Sequence, residues 1–160
     1  MPTQSPARSS KPLATPQRNG KLRKHADYQR VYREGKRQSL PLMTYFFAVR
    51  RPQEAAGVVG APNGMGTHPT ATQPGSRVGL TAGRVLGNAV ERNRIKRRMR
   101  QAIRQAQTEL TASVDVVLHP RRTVLEAEFS QIEREVARAF RAVQLALERS
   151  REGDSSHDRV

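Results

Sequence analysis

The run Gly87-Asn88-Ala89-Val90-Glu91-Arg92-Asn93-Arg94-Ile95-Lys96-Arg97-Arg98-Met99-Arg100 concentrates the chemistry of this chain. Six basic residues occupy the nine positions from 92 to 100. From Arg84 to Arg104 eight bases stand against one acid, a charge of +7 over 21 residues. Side chains at that density repel one another and are stable mainly when they face a polyanion. The chemistry to which they point is contact with nucleic acid, where cations neutralise phosphates. The usual alternative for a charged helix face, a ladder of i,i+4 ion pairs, lacks its acidic half.

The same residues encode the element that positions them. Asn88 with Glu91 three residues later has the form of a capping box at a helix start. At about 100° per residue, Ile95, Met99, Ala102, Ile103 and Ala106 share one apolar arc, and Arg94, Lys96, Arg97, Arg98, Arg100 and Arg104 spread around the rest. Arg92 projects onto the apolar arc one turn before Ile95, which places it at the edge of the core.

Catalytic constellations are missing. The four histidines (25, 68, 119 and 157) are scattered without ligand spacing and read as surface or structural. Asp115 and Glu109 form no recognisable carboxylate pair. The segment 83–87 lacks both the glycine spacing and the Lys-Ser/Thr ending of a phosphate-binding loop. Cysteine is absent, which excludes disulfides and thiolate metal sites. No catalytic residue and no metal site is therefore assigned to the protein. Tyr28 and Tyr32 lie one turn apart on a first helix, and Phe46 lies on the next strand. Such rings either fill the core or stack unpaired bases beside a cationic surface. Tyrosine at both helix positions favours a polar edge kept wet.

The 160 residues carry a formal charge of +15, distributed unevenly. Residues 1–25 carry +6, 26–83 carry +4, 105–120 carry −2, and 121–160 are neutral with eight charges of each sign. The binding part is thus the first two-thirds, and the last third is scaffold. No apolar targeting core and no run of about 18 apolar residues is present, so a soluble cytoplasmic protein without membrane contact is expected. Residues 1–20 read as a disordered basic tail, 21–150 as a single nucleic-acid-binding domain, and 151–160 as a polar tail. Residues 51–76, with nine Gly or Pro, read as a disordered insertion between two strands.

The pattern predicts a helix at 27–34 stopped by Gly35, strands at 42–49 and 77–82, the basic helix at 88–108, a buried strand at 114–119 and a long helix. Leu125, Phe129, Ile132, Val136, Phe140, Val143 and Leu147 supply the long helix with its core face. The order α-β-β-α-β-α is an α+β sandwich. A basic zipper is excluded because a strand, not a heptad seam, follows the basic helix. An RNA recognition motif is disfavoured because the 77–82 and 114–119 strands carry no aromatic residue.

Arg77-Val78-Gly79-Leu80-Thr81 followed by Gly87-Asn88-Ala89-Val90-Glu91-Arg92-Asn93-Arg94-Ile95-Lys96-Arg97 resembles the protein subunit of bacterial ribonuclease P, with its Arg-Asn-Arg signature. The resemblance extends through Asp27-Tyr28-Gln29-Arg30-Val31-Tyr32 with Gly35 and through Asp115-Val116-Val117-Leu118, spanning roughly 20 to 147 apart from 51–76. It implies an α-β sandwich similar to the second domain of ribosomal protein S5, with a left-handed βαβ crossover. It also implies that the signature helix contacts a catalytic RNA subunit, one protein to one RNA. The 5′ leader of precursor tRNA would occupy a cleft between the first helix and the sheet, and the RNA would hold the catalytic Mg²⁺. By position, Arg84, Asn88, Arg92, Asn93, Arg94, Lys96, Arg97, Arg98 and Arg100 would face RNA, and Tyr28, Tyr32 and Phe46 would line the leader cleft. Arg84-Val85 departs from the Lys-Lys pair frequent at that place. The rival reading is a structural ribosomal protein that binds rRNA without a reaction. A protein-only nuclease is disfavoured by the missing catalytic cluster.

Overall fold

The computed structural model describes residues 20–50 and 75–155. The expectations for residues 1–19, 51–74 and 156–160 lie outside the described residues. Eight regular elements follow in order: β1 (Gly20–Lys21), α1 (His25–Glu34), β2 (Lys36–Ser39), β3 (Met43–Val49), β4 (Arg77–Leu80), α2 (Ala89–Ala106), β5 (Val114–Pro120) and α3 (Phe129–Ser155). The expected α-β-β-α-β-α order is present but lacked two strands. β1 is two residues long, and β2 is a fully exposed Lys-Arg-Gln-Ser edge strand with no apolar alternation to betray it.

The strands form one mixed sheet in the order β1-β4-β5-β3-β2. β4 runs parallel to β1 and β5, whereas β3 is antiparallel to β5 and β2. The parallel pair β4–β5 is joined through α2. β5 is central, and its alternate side chains serve opposite faces. Val114, Val116 and Leu118 enter the larger core with Ile95, Met99, Ile132, Val136 and Phe140 from α2 and α3. Val117 enters a smaller core under α1 with Leu22, Val31 and Ala48. Burying a side chain such as Ile95 or Phe140 contributes about 1.5–3 kcal/mol. Helices therefore cover both faces of the sheet.

Local chemistry explains the boundaries. The α2 capping box is complete: Glu91 N–H donates to Asn88 Oδ1 and Asn88 N–H to Glu91 Oε2, both at 2.9 Å. Gly87 before it has φ +122° and leaves no space for a Cβ beside the Glu91 carboxylate. The buried residues of α2 are Ile95, Met99, Ala102, Ile103 and Ala106, the arc read from sequence. Gly35 does end α1, but by close approach rather than a left-handed turn. Its φ is −81°, and a Cβ there would lie 2.2 Å from the Val31 carbonyl oxygen.

Several boundaries differ from expectation. Gly20, placed in the tail, pairs with β4. Gly75 and Ser76, placed in the insertion, are buried, and the Ser76 carbonyl accepts from Gly20 N–H at 2.8 Å. Residues 151–155, placed in the polar tail, continue α3. Leu125 belongs to a 3₁₀ turn before α3 rather than to the helix. Among the described residues no helix is long and apolar enough to cross a membrane.

Candidate nucleic-acid interface

The first surface is the outer face of α2. Arg94, Arg97 and Arg100 are exposed and none of them pairs with a carboxylate among the described residues. Asn93 is exposed, Arg92 and Lys96 are half-buried, and Arg84 stands exposed on the 3₁₀ turn Arg84–Leu86. Two members of the expected set have structural work. Asn88 caps the helix. Arg98 donates to the carbonyls of Val124, Leu125 and Ala127, holding the turn that leads into α3. The single acid of the run, Glu91, is occupied by the cap and by Arg122 at 2.9 Å. Val85 and Val90 lie 89% and 77% exposed beside this cationic face, a pair that the charge pattern did not single out.

The second surface lies between α1 and the sheet. Tyr32 meets Phe46 edge-on at 5.1 Å between centroids, and its hydroxyl is 2.8 Å from His119 Nε2. His119 also lies 5.3 Å from Phe46, and the Arg37 guanidinium sits 5.9 Å from the Phe46 ring centre. Tyr28 packs against Gly79, where a Cβ would come within 2.7 Å of its hydroxyl, and it donates to the Leu22 carbonyl at 3.2 Å. Tyr28, Tyr32 and Phe46 are thus brought to one side of the sheet, with Tyr28 and Phe46 half-buried and Tyr32 39% exposed. Burial raises both tyrosine pKa values, so the hydroxyls stay protonated.

His119 and Arg37 complete this cleft and were not singled out in sequence. Their partners lie on other elements, 87 residues away in the case of Tyr32 and His119. Burial, and secondarily Arg37, lowers the His119 pKa below 6.5, so the folded state favours the neutral ring. Its contribution to stability is complete above the unfolded value and lost as pH falls below it, because the unfolded chain then binds more protons. His119→Gln should flatten the acid-side slope of stability below pH 6.5. Denaturant unfolding at stepped pH checks this, and an unchanged slope would assign the acid sensitivity elsewhere.

Beneath α1 a buried ionic clamp fixes the cleft. Asp115 on β5 is fully buried and accepts from Arg77 Nε at 2.7 Å and Nη2 at 2.5 Å. It also accepts from Arg30 of α1, and Arg50 Nε lies 3.7 Å away. Arg77 reaches on to Asp27 of α1 at 3.1 Å. The hydrogen bonds to Asp115 raise the Arg77 pKa, while burial lowers that of Arg50. One carboxylate thus ties α1, β4, β5 and the end of β3 together.

Comparison with known proteins places this geometry. The Ribonuclease P family model matches residues 17–144. The Ribonuclease P protein component of Brucella melitensis is 36% identical over 123 residues, 76% of this chain and 78% of that protein. A Bacillus cereus protein of the same name is 36% identical over 69 residues, 43% of this chain and 60% of its own length. Among solved structures, the RNase P protein from Thermotoga maritima shares the fold at TM-score 0.57 and 22% identity, with 78% of this chain and 97% of that chain covered. The RNase P protein of Staphylococcus aureus does so at 0.55 and 21%, covering 78% and 94%. With a family model spanning both surfaces and a relative aligned over three-quarters of the sequence, the chain belongs to the ribonuclease P protein component family.

Proposed function

We propose that the chain is the protein subunit of a ribonucleoprotein endonuclease that removes the 5′ leader of precursor tRNA, with hydrolysis carried out by its RNA partner. The observation that carries this reading is the pairing of a carboxylate-free arginine face on α2 with an aromatic cleft under α1. The first suits the phosphates of a folded RNA, through Arg84, Arg92, Asn93, Arg94, Lys96, Arg97 and Arg100. The second suits a single strand, whose bases stack on Tyr28, Tyr32 and Phe46. One protein would serve one RNA.

The described residues do not fit Mg²⁺. Asp115 is enclosed by arginines, Asp27 is bonded to Arg77 and Glu91 to the helix cap, and no cluster of three metal-ligating side chains occurs among the described residues. A required divalent ion would belong to the RNA.

Reconstitution tests this directly. The purified chain with Mg²⁺ should leave precursor tRNA intact, and adding a ribonuclease P RNA should give the mature 5′ end, most efficiently at low salt. Accurate cleavage by RNA-free protein would overturn the assignment. The cleft has its own test. Tyr32→Ala should weaken binding of leader-bearing precursor by about 1–3 kcal/mol, with the salt dependence and mature tRNA binding unchanged. Tyr32 suits this better than Tyr28, whose ring packs against Gly79. Equal losses for both tRNA forms would assign the ring to packing.

A further inference from the structure

We propose that a groove between α2 and the first turn of α3 receives one unpaired nucleotide of a folded RNA, its base against the Phe129 ring. This rests on reading α2 as RNA-facing and narrows that reading to a pocket. The groove encloses about 750 Å³ and is lined by Arg94, Arg97, Arg100, Gln101, Arg104 and Phe129, with Arg98 as its fixed wall. That volume falls in the range of about 300–1,000 Å³ typical of small-ligand sites. No carboxylate among the described residues lines it.

Phe129 is half-buried, packed on the larger core on one side and open to the groove on the other. Its place is set by Arg98, which binds the carbonyls of the preceding turn, including Ala127 two residues before it. Gln101 Oε1 accepts from Arg104 at 2.5 Å, holding that guanidinium along the rim. An aromatic face ringed by cations is how single-stranded nucleic acid is held, with the ring stacking a base and the arginines meeting the flanking phosphates. Paired bases in an A-form helix are closed to such a ring, because they remain stacked and the major groove is deep and narrow. The occupant is therefore a bulged or looped-out nucleotide.

Two RNA hairpins of equal length test this, one fully paired and one with a single bulged iodouridine. The full chain should bind the bulged hairpin roughly 5- to 150-fold more tightly, the equivalent of one stacked base. Irradiation of the unsubstituted chain should crosslink the iodouridine to the tryptic peptide 123–134, which contains Phe129. Phe129→Leu should erase both the preference and the crosslink, and Phe129→Tyr should keep both. Equal affinity for the two hairpins, or a crosslink confined to peptides carrying Tyr28, Tyr32 or Phe46, overturns the pocket. A bulge preference that survives Phe129→Leu also overturns it, and leaves the RNA-facing role of α2 standing if Arg94→Ala still weakens both hairpins. Salt-independent binding of both hairpins would overturn pocket and interface together.

Discussion

Asp115→Ala is expected to destabilise the fold by about 3–5 kcal/mol, the cost of removing one partner from a buried ion cluster. The carboxylate is fully buried, and the Arg30 and Arg50 side chains around it are 11% and 8% exposed. Without it, three guanidinium groups face one another in a largely buried site. Asp115→Asn should lose less, since the amide oxygen still accepts a hydrogen bond, but it cannot neutralise the arginines. An exposed pair such as Arg33–Glu34 is worth at most about 1 kcal/mol and makes the natural control. The shift in denaturant midpoint at constant slope is the measurement. A loss below about 1 kcal/mol would show that the arginines find water or other partners, and that the clamp does not support α1.

Replacing Arg94, Arg97 and Arg100 together by Ala should weaken binding to the RNA subunit about 100- to 1,000-fold at 0.1 M salt. Each lost phosphate contact lowers the log–log salt slope by roughly 0.7–0.9, so the slope should fall by about 2–3. Stability should hold, because the three side chains are exposed, pair with no carboxylate among the described residues, and give way to the best helix former. Arg98→Ala is the contrast within the same run. It removes donors to three carbonyls and should lower thermal stability more than the salt slope. Salt titrations of the variants side by side decide the matter, and an unchanged slope in the triple variant would place the RNA elsewhere.

What the sequence disclosed follows from the range of the forces involved. The α2 cap, the α2 core arc and the buried β5 strand are written in neighbouring residues at periods of 3.6 and 2, so they could be read directly. β2 could not, because an edge strand held by backbone hydrogen bonds to β3 needs no apolar pattern. The Asp115 clamp was equally hidden, since Arg77 and Arg30 lie 38 and 85 residues away in sequence. Arg98 shows the limit of a charge run as evidence. Its type matches its neighbours, and only the fold turns it back onto the carbonyls before α3. His119 read as isolated for the same reason, its ring partners coming from α1 and β3.

The alternation along β5 has a consequence for how the gene can change. Asp115, Val117 and His119 supply the clamp, the smaller core and the cleft, while Val114, Val116 and Leu118 support the helices that carry the arginine face. A shift of one residue flips every side chain to the other side of a sheet. Deletion of the Val114 codon would therefore move the carboxylate into the core-facing position and present Val116 to three arginines. Substitutions in this strand can be tolerated one surface at a time, but a change in its length would remove both at once.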